Sequence, residues 1–262
     1  MRLVTRRRIN GVHAIKDGQT WLYEPKPIGD YFISPFTELF KSDHPPDSGE
    51  IQQLGELCIS KSDNALLIRI PSEEEIKEAM LSNLLERIIS PNQGAFVRGL
   101  WIAENTVVAQ EVVYKIRSHK RKNGLMMMEV DLKKAYDRIK WEFLDRALSS
   151  WGFSEGFQRL IRSCVYSVHY SLLLNGSICR SFSLDRGLRQ ADPLSLLLVI
   201  LCSEFLTRLL TREEKKGTLY GIKISKNAPA VSHLMYAYDL LIMCRAKPQE
   251  EAVVDECFKK YY

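Results

Sequence analysis

The sequence predicts an α+β fold: an antiparallel sheet backed by helices, with an N-terminal helical arm. Three observations carry this. An apolar segment of strand length, LMMMEVDL, stands at residues 125–132. Two later segments, HYSLLLNGSICRSFSL and SHLMYAYDLLIMC, have the alternation and turn residues of hairpins. Helical apolar spacing fills the intervals, giving the order strand, two helices, hairpin, helix, hairpin.

Taken in order, Ile28, Tyr31, Phe32, Phe36, Leu39 and Phe40 partly follow helical spacing and make the arm, with Pro35 expected to interrupt it. SDHPPDSGE, residues 42–50, reads as a linker. In PSEEEIKEAM, Pro71, Ser72 and Glu75 have the arrangement of a capped helix start. Val107, Val108, Val112 and Ile116 form the apolar stripe of a helix that ends in the basic run KIRSHKRK. The strand at 125–132 delivers Asp131 at its C-terminal end. Ile139, Phe143, Leu144, Ala147, Leu148 and Trp151 then line one helix, stopped by Gly152, and residues 155–166 form another. Asn175-Gly176 supplies the positive φ angles of a tight turn. Asp192 and Pro193 open a helix with a Leu194, Leu197, Leu198, Leu201, Phe205 stripe, ending near TREEKKG. In the last hairpin, Tyr238 and Asp239 fall at or near the turn.

The 262 residues, 45% of them hydrophobic, suffice for a sizeable core, and the net charge of +5 permits a nucleic-acid partner without demanding one. The six cysteines are scattered with no metal-ligand spacing, so they read as reduced, mostly buried thiols of an intracellular, soluble protein. MRLVTRRRING lacks the apolar stretch of a secretory signal, and the longest apolar run, residues 194–202, is too short to span a bilayer, so no membrane is expected. Lys115, Arg117, Lys120, Arg121 and Lys122 suit either a phosphate backbone or a solvated helix end. Arg6 to Arg8 form an exposed basic arm that touches either nucleic acid or nothing. His119, His169 and His233 have no partner spacing. Trp141, Trp151 and Phe143 are assigned to the core, Asp137 to local pairing at a helix start, and Asp185 to a loop.

Two acids stand where chemistry could reside: Asp131 at the end of an apolar strand and Asp239 at the tip of an apolar hairpin. Rigid backbone holding a carboxylate is what metal-dependent nucleotidyl transfer requires. By spacing alone, a turn or cap residue is the commoner reading of a lone aspartate.

The stretches SPNQGAFVRGLWIAENTVVAQE, MEVDLKKAYDRIKWEFL, FSLDRGLRQADPLSLLLVILCSEFLTRLL and SHLMYAYDLLI, in this order, resemble the reverse transcriptase domain of plant long interspersed (non-LTR) retrotransposons. Together they cover most of residues 88–244. Residues 1–80 resemble the connector between endonuclease and polymerase, and residues 81–262 a partial polymerase domain made of a fingers remnant and a palm. The resemblance implies a palm-like sheet, magnesium or manganese as cofactor, and an RNA template with a DNA primer as partners. It implies that Asp131 binds metal, that Tyr136 lies beside the nucleotide sugar, and that Arg186 and Gln190 contact template or nucleotide.

The third motif departs from this pattern. YAYD stands where the family carries an aromatic, alanine and two aspartates, so Tyr238 replaces a metal-binding aspartate and Asp239 is the peripheral survivor. A phenol with a reference pKa near 10 is neutral and adds bulk where an anion is needed. Losing that metal-based stabilisation slows chemistry by roughly 10² to 10⁴ or more. Ala191 also replaces a glycine, Leu196 a proline, Arg98 a proline and Leu100 an arginine. Relative to the family a long fingers segment after Met80 is missing, and the chain stops at FKKYY before a thumb. The expectation is a degenerate, catalytically inactive reverse transcriptase domain. The alternatives are a non-catalytic nucleic-acid-binding module and a non-functional relic.

Overall fold

The computed structural model describes residues 11–42, 50–69, 80–119, 124–132 and 134–261. The described residues open on a hairpin that the sequence did not announce, β1 (Ile15–Asp17) and β2 (Thr20–Leu22), turned at Gly18. Helix α1 (Pro25–Leu39) starts on Pro25, whose missing N–H lies where no intrahelical acceptor exists. Contrary to expectation, α1 continues through Pro35. Proline there removes one backbone bond, and docking compensates: Phe36 stacks on Phe182, Asp30 pairs with Arg180, and the Cys179 thiol donates to the Pro25 carbonyl at 3.2 Å.

Short helices α2 (Glu50–Leu54) and α3 (Lys61–Ile68) follow, the second held by a reciprocal Ser60/Asp63 capping box. Glu50, read as linker, opens α2. The expected start at Pro71, Ser72 and Glu75 lies outside the described residues, as do Arg6 to Arg8, residues 43–49 and Lys120 to Lys122. Helix α4 (Met80–Ile88) leads to α5 (Ile102–Ser118), then to β3 (Leu125–Asp131), α6 (Ala135–Arg138), α7 (Trp141–Ser150) and α8 (Glu155–Tyr166). The hairpin of β4 (His169–Leu174) and β5 (Ser177–Ser183) turns at Asn175-Gly176, both with positive φ as expected. The Asn175 side chain also clasps the backbone of Val12 in both directions, at 2.8 and 2.9 Å.

Helix α9 (Pro193–Lys216) is capped by Asp192 and stopped by left-handed Gly217. It is long and apolar enough to cross a membrane, so the run at 194–202 understated it. Its side chains are instead buried around most of its circumference. Leu198, Leu201 and Phe205 pack with Trp151 and the α7–α8 layer, and Leu206, Leu209 and Leu210 pack against the sheet. A helix apolar on all sides is one enclosed by its own fold. The chain ends with the two-residue strands β6 (Ile222–Lys223) and β7 (Ala230–Val231), the hairpin β8 (His233–Tyr236) and β9 (Asp239–Arg245), and α10 (Pro248–Tyr261).

The fold is α+β with small antiparallel sheets. The central one has three strands in the order β3-β9-β8, and the β4–β5 hairpin forms its own two-stranded sheet. One face, with Met128, Val130, Leu240 and Ile242, packs on α9 and α10. The other, with Leu125, Met127, Leu241 and Met243, packs under Val108, Val112 and Ile116 of α5. Two core assignments need correction. Cys202, Cys244 and Cys257 are buried, but Cys164 is exposed and Cys58 and Cys179 are half-buried, because Cys164 and Cys179 sit on outward helix and hairpin positions and Cys58 lies in the loop between α2 and α3. Trp141 is also only partly buried: its ring stacks on Tyr166 at 4.3 Å and its indole N–H reaches the Gly187 carbonyl at 2.8 Å.

Candidate active site

Asp131 closes β3 and Asp239 opens β9, and the two are direct cross-strand partners. The flanking bonds define the type of pair. Leu132 N donates to Tyr238 O at 3.1 Å, and β9 turns the polar groups of alternate residues toward β8, as in Met243 N to Ser232 O at 2.8 Å. Asp131 and Asp239 therefore form a non-hydrogen-bonded pair, the kind with Cα atoms about 4.5 Å apart and side chains on one face. Glu129, two residues earlier, points to that face. Partial burial, then the negative charges of Asp131 and Glu129, hold the Asp239 carboxyl above its ordinary pKa. Helix α5 covers the far end of this face and leaves the acidic end open.

The β8–β9 turn consists of Ala237 and Tyr238. Ala237 is left-handed, with φ +60°, while Tyr238 is not, which is the pattern of a hairpin turn with its strained residue first. The Tyr238 ring meets the Tyr136 ring edge to face, with centroids 6.1 Å apart at 69°. Burial and then the neighbouring Tyr238 raise the pKa of the Tyr136 phenol, so this ring is neutral at physiological pH.

Tyr136 sits on α6, entered through left-handed Lys134, and its carbonyl accepts from Leu188 N at 2.7 Å. This bond and Gly187 N to Ile139 O at 2.8 Å fasten the 186–192 loop beside the acids. Gly187 has φ +93°, and a Cβ there would lie 3.1 Å from both the Asp137 carbonyl oxygen and the Phe40 ring, so only glycine fits. Gln190 donates to Asp137 Oδ1 at 3.2 Å, which makes Asp137 a partner of this loop. Ala191 is left-handed at φ +62°. Arg186 is committed elsewhere: its Nε donates to the Leu39 carbonyl at 2.8 Å, with Nη2 on the same oxygen, at the end of α1.

The structure thus brings Asp131, Asp239, Tyr238 and Tyr136 together, puts Gln190 on the adjoining loop and turns Arg186 to the arm. Glu129 and Gln93 escaped the sequence reading. Glu129 was masked by the apolar run around it. Gln93 lay in view within SPNQGAF, but its contact with the turn spans 144 residues. Among the described residues, no group of three or more His, Cys, Asp or Glu converges as a metal cage. The acid pair still suits magnesium in part, since that ion takes one or two carboxylates and completes its shell with water and phosphate. A bound cation would relieve the repulsion from Asp131 and Glu129 that adds to burial in raising the Asp239 pKa.

Comparison with known proteins bears on this arrangement. The profile of the reverse transcriptase (RNA-dependent DNA polymerase) family matches residues 73–261. The chain is 45% identical over 73 residues to an uncharacterized mitochondrial protein of Arabidopsis thaliana, AtMg01250, covering 27% of this chain and 60% of that protein. It is 24% identical over 238 residues to the transposon TX1 uncharacterized 149 kDa protein of Xenopus laevis, covering 86% and 18%. It is 27% identical over 140 residues to the retrovirus-related Pol polyprotein of the type-1 retrotransposable element R2 of Popillia japonica, covering 52% and 22%. The chain thus spans less than two thirds of each of these relatives. Its fold is similar to that of Candida albicans telomerase, solved with a fragment of telomeric RNA. The TM-score is 0.50 at 12% identity, over 98% of this chain and 48% of the telomerase.

Proposed function

The chain belongs to the reverse transcriptase (RNA-dependent DNA polymerase) family, and on that premise we propose that it is a palm-like domain of non-LTR retrotransposon descent that has lost efficient nucleotidyl transfer. One observation carries the loss: the residue at the tip of the acidic hairpin, beside the Asp131/Asp239 pair, is Tyr238. A phenol there stands in place of a carboxylate ligand, and Asp239 is one residue further along with its direction set by its pairing to Asp131.

In this reading Asp131 and Asp239 would hold magnesium or manganese, with an RNA template and a DNA primer as partners. When bound, the ion supplies charge neutralisation for phosphoryl chemistry. The protein's own part is positional. The strand pair fixes the two carboxylates, Tyr136 lies beside them where bulk against a 2′-hydroxyl would act, and Gln190 offers an amide from the adjoining loop. Arg186 would have to leave the Leu39 carbonyl to reach a substrate.

The test is primer extension on an RNA template with magnesium or manganese, comparing the unmodified chain, Tyr238→Asp and Asp131→Ala. The unmodified chain is expected to extend no primer above the Asp131→Ala background. Robust synthesis by the unmodified chain that disappears in Asp131→Ala overturns the proposal. Salt-sensitive binding to an RNA/DNA hybrid without extension would instead mark a binding module.

A further inference from the structure

A buried amide reaches the acidic hairpin from the far side of the sheet. Gln93 is 1% exposed, and both ends of its side chain are spent on the backbone, the N–H and C=O of Ala237 and the N–H of Ala95. Its Oε1 accepts from Ala237 N at 2.8 Å and from Ala95 N at 3.2 Å, while its Nε2 donates to Ala237 O at 3.4 Å. Two backbone N–H groups aimed at one end leave only the oxygen able to stand there, so the amide orientation is chemically fixed. The flanking backbone is laced to β8. Met235 N donates to Asn92 O and Gly94 N to Met235 O, both at 2.8 Å, and the Asn92 side chain donates to His233 O at 2.8 Å. Asn105, buried on α5, secures Asn92 O at 3.1 Å.

Ala237 is the residue that needs such a hold. It is the left-handed member of the turn, a conformation an alanine resists without outside support. Tyr238 follows it directly and Asp239 opens β9 one residue later, so the backbone angles at Ala237 set where residue 238 faces beside the acid pair. We propose that Gln93 is a positioning residue for the acidic site: its amide holds the strained Ala237 backbone through both its N–H and its C=O and so fixes how residue 238 is presented beside the Asp131/Asp239 pair. This rests on the reading of Asp131 and Asp239 as a metal-holding pair.

Two measurements test it. The first is NMR hydrogen exchange of the unmodified chain, Gln93→Met and Gln93→Glu. Gln93→Met fills the space without polar atoms and is expected to speed Ala237 exchange about ten-fold or more, leaving the Met243 amide, bonded to Ser232, protected as before. Gln93→Glu keeps an acceptor oxygen and is expected to restore much of the Ala237 protection. The second is manganese affinity by electron paramagnetic resonance in the Tyr238→Asp background, where adding Gln93→Met should weaken binding about 10- to 100-fold, as loss of a ligand-orienting contact does. Unchanged Ala237 exchange, equal acceleration of Met243, or unchanged manganese affinity overturns the proposal. If Tyr238→Asp binds no manganese with Gln93 intact, the metal reading itself falls, and the Ala237 exchange then decides the positioning role alone.

Discussion

Replacing Arg208 with methionine should destabilise the fold strongly, and more at alkaline than at acidic pH. Arg208 donates through Nε to Glu204 Oε1 at 3.1 Å, through Nη1 to Leu54 O at 3.1 Å and through Nη2 to Ile88 O at 3.3 Å. Its guanidinium lies 4.3 Å over the Trp151 ring. The Glu204 side chain is 1% exposed, and among the described residues its other hydrogen bonds come from Ser90, whose N–H and hydroxyl donate at 3.1 and 3.2 Å. Burial pushes the Glu204 pKa up to about 6, opposed by the Ser90 N–H and then by Arg208. Because this value is raised above 4.5, the folded state holds more protons between pH 4.5 and 6, and stability falls as pH rises through that window, by about 2 kcal/mol.

Arg208→Met leaves Glu204 buried without its cation, a loss of about 3–5 kcal/mol where the carboxylate is ionised. At pH 5 the carboxyl protonates and the loss should shrink to about 1–2 kcal/mol. Urea unfolding followed by tryptophan fluorescence at pH 8 and pH 5 measures both. Adding Glu204→Gln should recover about 1.5 kcal/mol or more at pH 8, since the stranded charge is gone. Equal losses at the two pH values, or a double variant no more stable than Arg208→Met, would refute the reasoning.

Other consequences are open to direct measurement. His233 is fully buried, and desolvation lowers its pKa to about 4, so its contribution is complete above pH 6.5 and is lost as pH falls towards 4, by about 3 kcal/mol; His233→Leu should remove that acid-side loss in unfolding curves between pH 6.5 and 4. Ala191→Gly relieves a left-handed alanine worth about 1 kcal/mol, partly offset by a freer unfolded chain, so its thermal midpoint should hold or rise. Ala147→Gly in buried α7 should instead lose about 1 kcal/mol or more. Gly29→Ala would place a methyl 2.2 Å from Cys179 Sγ, prising α1 from the β4–β5 hairpin; in a Cys164→Ser background, Cys179 should then react faster with a thiol reagent.

The site was legible where its determinants are local. Seven residues of strand, LMMMEVD, ending in an acid, place Asp131 at a strand end, and two short strands around Ala237-Tyr238 place Asp239 beside the turn, whereas the pairing of the two acids is made by strands far apart in sequence. The caps at Asp192 and Gly217 and the Asn175-Gly176 turn are likewise set by adjacent residues. What eluded the sequence is held from afar. The β1–β2 hairpin has strands of three residues, too short to show alternation. Helix α10 buries only Glu250, Val254 and Cys257, and Glu250 reads as polar until its pairing with Arg245 is seen. Arg186 on the Leu39 carbonyl and Gln93 on Ala237 join segments 147 and 144 residues apart, distances at which no periodicity speaks.

The central claim is that Tyr238 deprives the acid pair of a ligand it needs. Manganese titration followed by electron paramagnetic resonance tests this apart from folding or template binding. The account predicts weak binding by the unmodified chain, binding tightened at least ten-fold in Tyr238→Asp, and loss of that gain when Asp131→Ala is added. Equally tight binding by the unmodified chain and Tyr238→Asp, abolished in both by Asp131→Ala, would contradict it.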